Sequence, residues 1–303
     1  MITISYINIW IQPYKEYYLT KFIEHNIGSV IWVEPNMNPD ILIASCFGDI
    51  NNIINLKAKC KLFYYGENLN RYPPYNDEQL LMNTFDLIVG FKYTNLEKKL
   101  IRFPLWLIYY NYYDYKSNSG DNLLTYIENK YKKNKNQENK NKENNIFGSL
   151  IANHDRDGKR TKICNELSKY GKIMFAGNFN NNTSKIGPSC EDKINYISNS
   201  IYNICPENSI FEGYFTEKIF QAFEGGTIPL YWAIDYPEKD IINKNKYCFC
   251  NINNDKELQK SIHNVVIHPE QYLEGNIFTE NAGNIIKEYY ETLRNNIKFK
   301  LGL

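Results

Sequence analysis

The sequence has no surplus of either charge: 35 lysines and arginines stand against 34 aspartates and glutamates in 303 residues. Such a balance lacks the basic excess that nucleic-acid binding leaves on a surface, so nucleic acid is not an expected partner and any anion site has to be local. No apolar run is long enough to cross a bilayer, and the opening MITISYINIW carries neither a basic segment nor a long apolar core. We read neither signal peptide nor anchor there, and expect a soluble, cytoplasmic protein. Cys-x-x-Cys pairs are missing. The seven cysteines (Cys46, Cys60, Cys164, Cys190, Cys205, Cys248 and Cys250) are odd in number and scattered, several within apolar runs. That spacing excludes a disulfide framework or a thiolate zinc site and fits reduced, mostly buried thiols. The four histidines, His25, His154, His263 and His268, lie far apart without ligand spacing, and there is no GxSxG turn, P-loop or glycine-rich dinucleotide fingerprint.

What is present is a steady alternation of strand-like and helix-like segments, in a chain long enough for two domains. Ile2 to Trp10 predicts the first strand, and Tyr14 to Ile27 a helix with Tyr18, Phe22 and Ile23 on one stripe. Ser29 to Val33 and Ile41 to Ser45 are short apolar runs around the turn-rich PNMNPD. Lys61 to Tyr65 predicts a further strand that delivers Gly66, Glu67 and Asn68 to its carboxyl end, where open α/β sheets place their ligands. Asp121 to Tyr131 is helix-like, and KKNKNQENKNKENN, 132–145, follows without one apolar residue. Such a tract is expected to be a mobile, solvated insert or linker.

The alternation restarts with Phe147 to Ala152 (strand), Arg160 to Tyr170 (helix), Lys172 to Ala176 (strand) and Asp192 to Ser198 (helix). Tyr202 to Trp232 then reads as one βαβ unit. Its loop supplies Glu207, Asn208 and Ser209, Thr216 is the expected N-cap, and Gly225 and Gly226 end the helix. Glu217 and Lys218 fall in the first turn, beside unpaired N–H groups, which makes Lys218 a candidate grip on a diphosphate. HDRD, His154 to Asp157, contains an Asp-x-Asp triplet; one loose pair supplies too few hard oxygen ligands for a metal, so we expect a turn and cap there. A last helix, from about Glu280 to Asn296, carries Ile285, Ile286, Tyr289, Tyr290 and Leu293 on its apolar face. It is expected to pack across the two domains, although its basic end also suits peripheral contact with an anionic membrane.

PENS, GYFTEK and AFEGGTIP together closely resemble the signature of the α1,3/α1,4-fucosyltransferases, glycosyltransferase family ten, and the soluble bacterial type in particular. FYYGEN around Glu67 resembles that family's Tyr-x-Gly-Glu segment. Pro206 in place of Phe, Phe215 in place of Val and Ala233 in place of Gly depart from the pattern around the sugar pocket and leave the charged positions untouched. The resemblance implies an α/β GT-B fold, two Rossmann-like domains facing a cleft. The acceptor domain would be 1–145, the GDP-sugar domain 146–278, and 279–303 the closing helix.

It further implies Glu67 as general base. Arg160 and Lys218 would lie on the donor diphosphate, Tyr214 would assist through its hydroxyl, and Asn208 and Glu217 would hold ribose or fucose hydroxyls. The donor would be GDP-fucose. No metal is required, because two side-chain cations face the leaving group, though added divalent metal has room to stimulate. The acceptor would be an oligosaccharide or glycolipid of Gal-GlcNAc type, fucosylated on GlcNAc or Glc to give Lewis-type glycans, with α1,3 favoured over α1,4. Tyr109, Tyr110, Tyr112 and Tyr113 are candidate acceptor-stacking rings or scaffold. A different GDP-sugar, or a glycan-binding protein without turnover, are the alternatives. The family's heptad repeats are missing, so the oligomeric state stays open.

Overall fold

The computed structural model describes residues 1–9, 14–110, 119–135 and 146–303. Its chain divides into two compact units, Met1–Asp121 with Phe211–Phe215 and Gly283–Leu303, and Asn122–Ile210 with Thr216–Ala282.

The first unit contains strands β1 (Ile2–Ile7), β2 (Val30–Trp32), β3 (Ile41–Ala44), β4 (Cys60–Tyr64), β5 (Leu87–Gly90) and β6 (Leu100–Arg102). Its helices include α1 (Tyr18–Asn26), α2 (Asn51–Ile54), α3 (Glu78–Thr84) and α4 (Leu105–Tyr109). Among the described residues the strands form one parallel sheet in the order β2-β1-β3-β4-β5-β6. Ile4 aligns with Ile41, and Leu62 with both Ile43 and Leu87. β3 and β5 are buried throughout, which is why they appear in the sequence as unbroken apolar runs. Phe63 anchors an aromatic stack with ring centroids 4.9 Å from Phe85 and 5.3 Å from Tyr75.

The long helix α5 (Ser119–Lys135) carries the chain into the second unit. There follow β7 (Ile146–Ile151), α6 (Lys159–Leu167), β8 (Ile173–Ala176), α7 (Cys190–Ile197), β9 (Ser200–Ile204), α8 (Lys218–Glu224) and β10 (Ile228–Tyr231). β11 (Cys248–Phe249), α9 (Asp255–Ile267) and α10 (Glu270–Leu273) complete it. The sheet is again parallel, in the order β11-β10-β9-β7-β8. Leu150, Tyr202, Ile204 and Leu230 share one apolar cluster with Ile163 and Leu167 of α6 and Ile262 and Val265 of α9. Ser149 and Asn203, one residue out of phase, point to the other face and hydrogen-bond to each other.

The closing helix, α11 (Ala282–Leu301), counts with the first unit from Gly283 onward. Tyr290 packs against Phe22 and Phe103 at 6.1 and 5.4 Å, and Ile286, Leu293 and Ile297 are fully buried. These aromatic contacts lie within one unit, whereas the apolar stripe alone had suggested packing across two.

Other boundaries also differ from expectation. β1 stops at Ile7, because Asn8 turns into the left-handed region at φ 54°, a conformation asparagine tolerates better than most residues. Trp10 lies outside the described residues. The helix expected from Tyr14 is a 3₁₀ turn, Tyr14–Glu16, interrupted before α1 by the extended Tyr17. The polar tract expected as a linker from Lys132, inside a domain ending at 145, is helical up to Lys135 and belongs to the second unit. Asn134 is buried and donates to the Glu224 carbonyl at 2.6 Å, while Tyr131 and Lys135 both donate to the Leu273 carbonyl. Those long-range bonds offset the ordering entropy that the tract's composition does not. The rest of the tract, 136–145, lies outside the described residues.

Candidate functional site

β7 and β9 are neighbours in the second sheet, yet β7 leads through α6 to β8 on one side and β9 through α8 to β10 on the other. Where connections part in this way a crevice opens at the carboxyl ends of the strands. A pocket lies there, floored by Ile151, Ile204, Cys205 and Pro206 and walled by three cations, Arg160, Lys193 and Lys218. Of these the sequence had marked Arg160 and Lys218. Lys193, on α7, it had not.

The loop after β9 turns Glu207 inward, where its side chain is 0% exposed. The carboxylate accepts from Thr216 N at 2.7 Å, Thr216 Oγ1 at 2.8 Å, Tyr231 OH at 2.7 Å and Lys218 Nζ at 3.1 Å. Saturation by donors, one of them charged, is what makes a buried carboxylate tolerable. Burial, reinforced by Glu207, drives the Tyr231 hydroxyl's pKa well above its ordinary value, so it stays a donor.

Lys218 also donates to Thr216 Oγ1 at 2.8 Å. Thr216 is therefore not the helix cap expected of it: α8 begins at Lys218, with Glu217 in the N-cap position. The threonine hydroxyl goes to Glu207 because an ionised acceptor makes the stronger hydrogen bond.

Arg160 is the second residue of α6 and is buried. It donates to the His154 carbonyl and, at 2.7 Å, to Asn208 Oδ1. Lys159 beside it is 2% exposed; its ammonium lies 3.0 Å from Asp157 Oδ2, 3.1 Å from the Asn208 carbonyl and 4.9 Å from the Trp232 ring centre. Two adjacent cations thus hold Asn208, one by its side chain and one by its backbone, while the asparagine itself stays exposed. Glu217 is nearly buried and lies 3.7 Å from Lys193 Nζ. Burial pushes its pKa up, but Lys218 and Lys193 outweigh it and hold the carboxyl below its ordinary range.

The N-cap position of α6 is taken by Gly158 and not by HDRD, but Asp155 still serves the helix start from three residues earlier. Its oxygens accept from Arg160 N at 3.0 Å, Thr161 N at 2.8 Å and Thr161 Oγ1 at 2.7 Å. Asp157 is paired with Lys159. Among the described residues no three His, Cys, Asp or Glu side chains gather as a metal would need.

Two candidates belong to the first unit. Glu67 follows β4, with its side chain 31% exposed and Arg71 Nη1 3.8 Å away. Its neighbour Gly66 runs so close to α4 that a Cβ would meet Leu105 Cδ1 at 2.7 Å. A partly exposed carboxylate at the end of a strand is suited to accept a proton from a bound hydroxyl. Tyr214 is buried in the apolar cluster of that unit, its ring edge-on to Phe91 at 5.1 Å. It is grouped with the first unit, while Arg160, Asn208, Glu217 and Lys218, the other residues the resemblance linked to the donor, belong to the second. Tyr109 is exposed; Tyr112 and Tyr113 lie outside the described residues.

The signal for Glu207 was an acid at the end of a buried apolar strand, and for Lys159 a cation at a helix start beside another. Lys193 left none, since its helix reads as an ordinary amphipathic one.

Residues 4–109 match the family model described as the alpha-(1,3)-fucosyltransferase FucT N-terminal domain, and residues 138–278 the one described as glycosyltransferase family 10 (fucosyltransferase), C-terminal. The alpha-(1,3)-fucosyltransferase FucT of Helicobacter pylori is 25% identical over 271 residues, covering 83% of this chain and 53% of the relative. The chain therefore spans about half the length of that curated relative. Among solved structures, one of an alpha1,3-fucosyltransferase superposes with a TM-score of 0.69 at 20% identity, over 97% of this chain and 90% of the other. A structure of an alpha1,3-fucosyltransferase with GDP-fucose gives a TM-score of 0.66 at 20% identity over the same shares. At this identity the likeness is one of fold, the GT-B type with its two parallel α/β sheets.

Proposed function

The chain belongs to glycosyltransferase family 10, and from that premise we propose that it transfers L-fucose from GDP-fucose to an acceptor glycan. The observation that carries the donor half of this reading is the pocket at the β7/β9 switch, where Arg160 and Lys218 are held in place by Asn208 and by the buried Glu207. In a GDP-fucose complex the diphosphate would take the position between these cations.

The reaction is one displacement with inversion. Glu67 takes the proton from the acceptor hydroxyl as that oxygen attacks the anomeric carbon; the bond from that carbon to the β-phosphate oxygen breaks, and GDP leaves with the electron pair. Charge grows on the diphosphate as the bond breaks, so cations already in place stabilise the transition state more than the ground state. Asn208, bonded to Arg160, and Glu217, 3.7 Å from Lys193, are suited to ribose or fucose hydroxyls. The acceptor is an oligosaccharide or glycolipid presenting Gal-GlcNAc, with transfer in α1,3 linkage to GlcNAc or Glc giving a Lewis-type product. Side-chain cations carry the leaving-group charge in this scheme, and a divalent metal would act only as a stimulant.

The test is release of GDP from GDP-fucose in the presence of a chelator, with and without N-acetyllactosamine, with Lys218→Ala as control. Acceptor-dependent release by the parent protein and not by the variant is the expected result. Binding of the glycan with no release from any GDP-sugar would overturn the enzymatic reading.

A further inference from the structure

Three cations wall the pocket, but they are not equally provided for. Lys218 has Glu207 and Thr216, and Arg160 has the His154 carbonyl and Asn208. Lys193 makes no side-chain hydrogen bond to the described residues. Its nearest carboxylate, Glu217, is 3.7 Å away, beyond hydrogen-bonding distance. Its side chain is 27% exposed and lines the pocket, so its ammonium presents donors there that no acceptor among the described residues takes up.

The surroundings do not favour a cation either. Lys193 lies four residues into α7, near the end whose unpaired N–H groups attract anions. The adjacent Asp192 does not serve it: that carboxylate is committed to the capping box, accepting from Ser189 N at 3.1 Å and Ser189 Oγ at 2.6 Å. Burial lowers the pKa of Lys193 from the ordinary lysine value; Glu217 opposes this and Lys218 adds to it. A side chain placed at a net electrostatic cost, with donors unused and facing a pocket with two other cations, has the properties of a group whose acceptor arrives with a ligand.

We infer that Lys193 is a third phosphate-binding cation of the pocket, reaching the donor diphosphate from α7 beside the better-anchored Arg160 and Lys218. The assignment rests on the donor reading above. On binding, phosphate oxygens replace the absent acceptors, and Glu217, released in part from its ion pair, is available to a sugar hydroxyl. Lys193 thereby also serves as a positioning residue for Glu217.

The test compares the affinities of GDP and guanosine, measured by ligand-observed NMR and calorimetry, for the parent protein, Lys193→Met and Lys193→Arg. Loss of one charge-assisted phosphate contact should raise the dissociation constant of GDP by about tenfold or more in Lys193→Met, leave guanosine unchanged, and be largely reversed in Lys193→Arg. The slope of GDP affinity against salt should also flatten in the methionine variant. Equal weakening of both ligands, or GDP binding as tight as the parent's, would overturn the assignment. Should Lys193→Met fail to fold, Lys193→Arg still decides: a charge-only contact predicts parent-like GDP affinity, and a purely structural lysine predicts impaired thermal stability with or without GDP. A parent protein that binds GDP through Lys193 but transfers no fucose would uphold this assignment while sinking the transfer reading; one that binds no GDP would sink both.

Discussion

The ammonium of Lys218 lies 3.1 Å from Oε2 of Glu207, a carboxylate wholly removed from solvent. The acid lies behind the base and not across the pocket from it, so the pair fixes where the positive charge stands without occupying the pocket in which a ligand anion would be held. Glu207→Gln is expected to break this relationship while preserving shape. An amide keeps one acceptor oxygen, but its NH2 must face either Lys218 and Thr216 Oγ1 or Thr216 N and Tyr231 OH, which are donors themselves, so the loss should be about 1–3 kcal/mol of stability. Turnover should fall further than GDP affinity, because a displaced Lys218 costs most where charge is growing. Urea unfolding and steady-state kinetics read the two effects separately; normal turnover in a destabilised variant would confine Glu207 to a structural role.

Lys218→Ala removes the charge itself. We expect loss of GDP binding together with a fall in rate on the order of a hundredfold. A variant that kept turnover and lost only stability would show that Arg160 and its neighbours suffice.

Glu67→Gln separates acceptor activation from donor binding. GDP should bind as in the parent, with transfer reduced by about 10²-fold to 10⁴-fold. Full activity in the glutamine variant would mean that another group takes the proton.

Lys246 gives a pH signature of folding in the second unit. Burial, helped by the charge of Lys135, lowers its pKa to about 8, while its ammonium donates to the Glu274 carbonyl at 2.8 Å. An unfolded lysine titrates near ~10.4. Between these values the unfolded chain holds a proton that the folded chain has released, so this group makes stability rise with pH across that window. Relative to Lys246→Met, the parent's urea midpoint should therefore climb between pH 7.5 and pH 10, values set on either side of most of the ~8 to ~10.4 interval. A constant difference between the two proteins would show that the proton is not released.

Gly213 adopts φ +73°, and a Cβ there would come within 2.5 Å of the Phe91 carbonyl oxygen. Gly213→Ala combines a left-handed backbone with a steric clash and should lose about 1–3 kcal/mol. An unchanged melting temperature would require the segment to move, which crystallography of the variant would show.

The fully buried strands, such as Ile41–Ala44 and Ile228–Tyr231, were legible because parallel sheets covered on both faces leave continuous apolar runs. Arg160, Asn208 and Lys218 were legible through local motifs, and the structure joins the first two directly and places the third in the same pocket as Arg160. What escaped depends on contacts distant in sequence. Thr216 has the chemistry of a cap, and only Glu207 folding back beneath it shows why it is not one. Tyr214 sits amid motif residues, and the packing of its ring on Phe91 is a contact of that kind. The polar tract beginning at Lys132 has a linker's composition, and its helical start is secured by Glu224, 90 residues further on. Lys193 is visible only once α7 is laid beside α8.

The first unit draws on three separate stretches of chain, and the last of them, Gly283–Leu303, follows all of the second unit. During synthesis, Phe22 and Phe103 emerge long before Tyr290, the ring that packs on both. Likewise Phe91 precedes Tyr214. The first unit is thus finished last, and the second unit has its whole sequence available first. A chain ending at residue 282 would hold the complete second unit and a first-unit sheet still lacking its final helix, and no single cut in the chain would release either unit intact.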